Sequence, residues 1–107
     1  METDYTVVFV TASSRLEAEK IAQVLVEEKL AACVSLMPIH SIYTWESKLC
    51  RADEWQLIIK TDLRKFEPLT IRVKQLHSYE VPEVIALPIV NGLVSYLDWI
   101  AAQTQTL

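Results

Sequence analysis

The chain has 107 residues, 51% of them hydrophobic and one of them glycine, a length that holds one domain burying roughly 65% of its unfolded surface. A net charge of -4 and a pI near 5.1 oppose attraction to phosphate backbones and anionic lipid, so nucleic acid is excluded as a partner on electrostatic grounds. No apolar run approaches the roughly 20 residues a membrane-spanning helix needs, which excludes a membrane partner of that kind.

The stretch "METDYTVV" carries acidic residues where an export signal needs basic ones. The two cysteines, Cys33 and Cys50, are too few for a disulfide framework and too far apart for a CxxC motif. Reduced thiols and a cytoplasmic location are therefore expected. With no repeat, linker or low-complexity segment, residues 1–107 are expected to form a single continuous domain.

In chain order, "YTVVFVTA" (5–12) is β-branched and apolar on both parities, predicting a strand covered on both faces. Ser14 and Glu17 predict a capping box, and Ala18, Ile21, Ala22, Leu25 and Val26 an amphipathic helix lying on a sheet. From Cys33 to about Lys48 the pattern is strand-like, with a parity change near Pro38 that predicts a bulge. "EWQLIIKT" (54–61) sets Trp55, Leu57 and Ile59 against Glu54, Gln56 and Lys60, so the two segments read as a long hairpin.

Phe66, Leu69, Val73 and Leu76 predict a second helix with Pro68 in its first turn. "EVIALPIV" (83–90) predicts the last strand, Asn91 and Gly92 a turn, and Leu93, Tyr96, Leu97 and Ile100 a short terminal helix. The order β-α-β-β-α-β plus a helix defines an α+β fold, a ferredoxin-like sandwich with both crossover helices on one face. Hairpin arms of about 15 residues reach near 50 Å, well beyond a body whose radius of gyration is near 13 Å. Its tip, carrying Tyr43 and Trp45, must overhang, and pairing with other subunits would cover it.

The stretches "KLAACVSLMP", "SIYTWESKL", "EWQLIIKT", "HSYEVPEVIALPI" and "GLVSYLDWI" together resemble the CutA family of divalent-cation-tolerance proteins, from Thr6 to Ile100. The resemblance implies a ferredoxin-like subunit in a tight homotrimer, similar in architecture to PII signalling proteins and linked to copper and other divalent cations. Two positions depart from it. Ser47 stands where the family has a glycine after "TWE", which strains the backbone if φ is positive there. Of the copper ligands proposed for enterobacterial members, a first-strand cysteine and two adjacent histidines, this chain has Val10 at the first position and Leu76-His77 at the pair.

His77, Cys33, Glu80 and Glu83 form a candidate metal set, since imidazole, thiolate and carboxylate suit copper or zinc if the fold joins them. No cofactor is required on this reading; copper or another divalent transition metal would bind weakly. Against it, His77 and Tyr79 serve equally well to cap the second helix and shape the turn, and Cys33 as a small apolar residue. His40 and Cys50 read as incidental surface residues. Tyr43, Trp45, Lys60 and Tyr79, with His77 and Glu83, are candidates for a small-molecule pocket or a subunit interface. Catalysis is not expected: G-x-S-x-G, a glycine-rich phosphate loop and H-E-x-x-H are all missing.

Overall fold

The structure, a computed structural model, describes residues 4–105. Strand β1 (Tyr5–Ala12) alternates: Thr6, Val8, Val10 and Ala12 are buried, while Tyr5, Val7 and Phe9 are half-buried. The expectation of a strand covered on both faces is thus corrected. One parity packs under helices, and the other is only partly closed within the chain.

Helix α1 (Arg15–Glu27) starts where the Glu17 N–H donates to Ser14 Oγ at 3.1 Å. The return arm of the capping box is shifted by one residue, because Glu17 Oε1 accepts from the Ser13 N–H at 3.1 Å. Ala18, Ile21 and Leu25 are buried, whereas Val26 lies at the edge of the stripe and is 43% exposed. The helix ends with Lys29 at φ 60°, the Leu30 N–H on Leu25 O at 2.9 Å and the Lys29 N–H on Val26 O at 3.1 Å. Those two bonds satisfy the last carbonyls in a Schellman arrangement, with lysine holding the left-handed position.

Strands β2 (Cys33–Trp45) and β3 (Lys48–Asp62) pair without interruption from Cys33 opposite Lys60 to Trp45 opposite Lys48. The bulge expected near Pro38 is absent. On the helix side only Val34 and Leu36 of β2 reach the core; beyond them no buried face dictates a parity, so the pattern drifts without a change of register. Pro38 is tolerated because β2 is an edge strand. Glu46 (φ 49°) and Ser47 (φ 63°) both take positive φ, as a two-residue type I′ turn requires.

A 3₁₀ turn, Leu63–Lys65, capped by Asp62 Oδ1 on the Arg64 N–H (2.8 Å), leads into α2 (Phe66–Leu76), whose Leu69 and Val73 are buried. Strand β4 (Val84–Pro88) is shorter than expected, and α3 (Val94–Gln103) follows with Ile100 fully buried. The sheet order is β2-β3-β1-β4, antiparallel throughout. Val8, Val10, Leu57 and Ile59 pack with Ile21, Leu25, Leu69 and Val73 into one core, which places α1 and α2 on the same face. The opposite face carries Val7, Phe9, Ile58, Ile85 and Leu87, the last two 49% and 41% exposed. The hairpin stretches the molecule to 44 × 26 × 21 Å and leaves Ile42, Tyr43, Trp45 and Leu49 exposed.

Candidate ligand groove and the residues around it

Alternation along paired strands puts Ile39, Ser41, Tyr43 and Trp45 of β2 on the same side as Glu54 and Gln56 of β3 and Thr11 of β1. That side faces away from α1 and α2. The segment 77–83 leaves α2, passes the end of β1 and rises beside this surface before entering β4. Between segment and hairpin lies a groove of about 840 Å³, lined among others by Tyr43, Trp45, Glu54, Tyr79, Glu80 and Glu83.

Glu54, on the face of its strand opposite Trp55, Leu57 and Ile59, is only 7% exposed. Tyr79 Oη donates to its Oε2 at 2.8 Å, and Gln56 Nε2 donates to Val10 O at 3.1 Å. Glu54 and Gln56 therefore face the groove, and the Tyr79 side chain, 25 positions away, completes the surroundings of Glu54. Burial first, and then the hydrogen bond to Glu54, push the Tyr79 phenol well above its usual range, so it stays a donor. Partial burial, together with the nearby charge of Glu54, pushes the Glu83 carboxyl up.

His77 stands behind the groove and does not line it. Its side chain is 0% exposed, Nε2 lies 2.6 Å from Thr11 O, and Nδ1 accepts from the Tyr79 N–H at 3.0 Å. These partners assign the proton to Nε2, and both ring nitrogens are occupied. The ring also touches Tyr79, with centroids 4.8 Å apart. Glu17 joins the same knot: its carboxylate accepts from the Ser13 and Ser78 N–H groups at 3.1 Å each and lies 3.9 Å from His77 Nδ1. Burial alone raises its pKa, but the hydrogen bonds from Ser78 and Ser13 and the neighbouring His77 outweigh that, holding it below the ordinary range. Glu17 was legible as a capping residue; its grip on Ser78 was not, being a contact across 61 positions.

The proposed metal set is not gathered within the chain. Cys33 is half-buried opposite Lys60, which pairs with Val7, whereas His77 meets Thr11. Four residues along β1 separate those points, about 13 Å at 3.3 Å per residue. Glu80 and Glu83 line the groove without Cys33 or His77. No group of three or more His, Cys, Asp or Glu side chains placed to hold a metal ion occurs among the described residues. Lys60 also lies away from the groove, with Nζ 3.5 Å from Ser35 Oγ. His40 pairs with Asp53 at 2.9 Å on the exposed hairpin.

A four-stranded antiparallel sheet in this order, with two crossover helices on one face and an overhanging hairpin, defines a ferredoxin-like α+β fold. Residues 6–103 match the family of the CutA1 divalent ion tolerance protein, and the chain belongs to that family. It is similar to the divalent-cation tolerance protein CutA of Archaeoglobus fulgidus, 47% identical over 93 residues that cover 87% of this chain and 91% of that one. A chloroplastic CutA protein of Arabidopsis thaliana is 49% identical over 92% of this chain, which spans only 55% of that relative. Among solved structures, the divalent cation tolerance protein of Thermus thermophilus superposes with a TM-score of 0.92 at 45% identity, covering 94% of this chain and 99% of that one.

Proposed function

We propose that this CutA-family chain acts as a homotrimer in the response to divalent metal ions and binds such an ion weakly, in the groove. The observation that carries this reading is the groove's lining: three carboxylates, Glu54, Glu80 and Glu83, and no lysine, arginine or histidine. Such a surface attracts cations and repels phosphates and carboxylates. Carboxylates with several retained waters are how weakly held divalent ions bind. The chain's own His77 has no free ring nitrogen for a metal, so the reading rests on the groove and not on the imidazole. Trimer formation is supported by Tyr43 and Trp45 on the overhanging hairpin, 43% and 49% exposed in the single chain, and by Ile85 and Leu87 on the sheet. Neither catalysis nor a resident cofactor enters the proposal.

The test is titration of the purified protein with Zn(II), Cu(II) and, anaerobically, Cu(I), read by native mass spectrometry. Saturable binding per subunit that exceeds a denatured control supports the proposal. Binding no greater than that control removes it. A second reading, a PII-like scaffold or sensor that takes a small-molecule effector, is favoured by one observation: about 840 Å³ is the volume of a small-molecule site and far exceeds what an ion fills.

A further inference from the structure

The chain's one asparagine, Asn91, stands directly before its one glycine, Gly92. Both are exposed and lie between β4 and α3, in residues 89–93, which are neither helix nor strand. The segment is tied down on either side: the Ile89 N–H donates to Tyr5 O at 3.1 Å, and Leu93 O accepts from the Tyr96 and Leu97 N–H groups at 3.0 Å each. Between those ties Val90 is 83% exposed. Neither Asn91 nor Gly92 lines the groove, so the chemistry of this segment is independent of the cation and small-molecule readings.

The Asn91 side chain is curled over the peptide that follows it, with the Gly92 N–H donating to Asn91 Oδ1 at 2.9 Å. That contact brings the Gly92 nitrogen beside the carboxamide carbon that carries Oδ1, the two atoms that must join to close a five-membered ring. In a helix or a sheet the N–H after an asparagine is committed to a distant carbonyl; here it points at the side chain it would attack. Glycine has no Cβ to shield the nitrogen, and its wide φ/ψ range lets the backbone follow the ring as it closes.

We propose that the Asn91-Gly92 step is a site of spontaneous covalent modification whose co-reactant is water. The Gly92 nitrogen attacks Asn91 Cγ and gives up its proton; the new C–N bond forms, the Cγ–Nδ2 bond breaks, and Nδ2 takes a proton and leaves as ammonia. Water then opens the cyclic imide at either carbonyl. Opening at Cγ leaves aspartate, and opening at the main-chain carbonyl leaves isoaspartate, in which the chain runs through Cβ and Cγ. Either product adds one negative charge to the formal net charge of -4.

The two products differ in their effect on the fold. Aspartate sets a carboxylate ahead of the α3 N-cap Leu93, which supplies no side-chain hydrogen bond, and a negative charge near that end suits the helix dipole. Isoaspartate adds one backbone atom between the Ile89 and Leu93 ties. Gly92 sits so close to α3 that a Cβ on it would lie 3.1 Å from Leu97 Cδ2, so the lengthened chain displaces Gly92 from Leu97 and loosens the start of the helix.

The test incubates the assembled wild-type protein at neutral pH and body temperature beside a free peptide of residues 88–95, both followed by mass spectrometry. Conversion of Asn91 from amide to acid at a rate within tenfold of the peptide's is expected, with isoaspartate detected by enzymatic methylation of its free α-carboxyl. Gly92→Ala should slow conversion at least tenfold, because its methyl shields the nitrogen; circular dichroism checks that it folds. Asn91→Gln, which enlarges the ring to six atoms and leaves the packing untouched, should slow it at least tenfold as well. Asn91 still an amide when the free peptide has converted, the result a covering second copy would give, overturns the proposal, as does an unchanged rate in either folded variant. The isoaspartate fraction should melt below Asn91→Asp, and equal melting of the two contradicts the loosening of α3.

Discussion

Tyr79 Oη donates to Glu54 Oε2 at 2.8 Å, and this bond ties the segment after α2 to the middle of the overhanging hairpin. It closes one side of the groove and is the hydrogen bond that a buried carboxylate keeps. Tyr79→Phe leaves Glu54 without a donor and is expected to destabilise the fold by about 1–3 kcal/mol. In Tyr79→Phe/Glu54→Gln the two effects should fall short of additive, because the pair is one interaction. Thermal melts of the two single variants and the double variant check this; strict additivity contradicts the coupling.

Ser47 sits at φ 63° in the hairpin turn, where the family resemblance places glycine. A side chain in the left-handed region costs about 1 kcal/mol that glycine avoids. Ser47→Gly is therefore expected to raise stability by up to about 1 kcal/mol, read as a shift of the urea midpoint at constant slope. A fall in the midpoint would show that the turn is not strained.

Asp62 is 4% exposed, caps the 3₁₀ turn and holds the Arg64 guanidinium at 2.6 Å. The hydrogen bond from Arg64 keeps its carboxyl below the usual range. A depressed folded-state pKa gives stability that is present above the unfolded value, near 4, and lost as pH falls through the folded value. Asp62→Asn should thus cost about 1 kcal/mol at pH 7, with the gap to wild type narrowing toward pH 2. Urea melts at both pH values measure it, and a gap independent of pH would contradict the account.

The proposed trimer places Trp45 between subunits. Trp45→Ala should weaken assembly by about 2 kcal/mol or more, the cost of truncating a large interface aromatic. Sedimentation across micromolar concentrations reads the shift. An unchanged association, or a wild-type monomer with native circular dichroism, would return Trp45 to the free surface.

Periodicity carried most of the fold. The stripe Ala18, Ile21, Leu25 and the alternation Trp55, Leu57, Ile59 each report burial against the core, and local physics writes those patterns directly into the chain. Where the hairpin leaves the body, burial ceases to pattern the residues, and the false bulge at Pro38 arose there. The groove was legible only in part. Tyr43, Trp45, Tyr79 and Glu83 were legible as aromatic and acidic candidates, but Glu54 showed only as one of the polar residues on its strand face, because its partner Tyr79 arrives from 25 positions away. Lys60 has the same parity as Glu54 and lies nearer the base of β3, so alternation alone does not tell which of them meets the groove.

The central claim is that cations meet this protein at the groove carboxylates and not at His77, and one paired titration tests it most directly. Native mass spectrometry with Zn(II) and Cu(II) is run on wild type, His77→Ala and Glu83→Gln. Loss of two hydrogen bonds is expected to cost His77→Ala about 2 kcal/mol of stability while leaving cation affinity nearly unchanged, and Glu83→Gln is expected to keep the fold and lose at least tenfold in affinity. Cation binding abolished in His77→Ala and retained in Glu83→Gln would contradict the account.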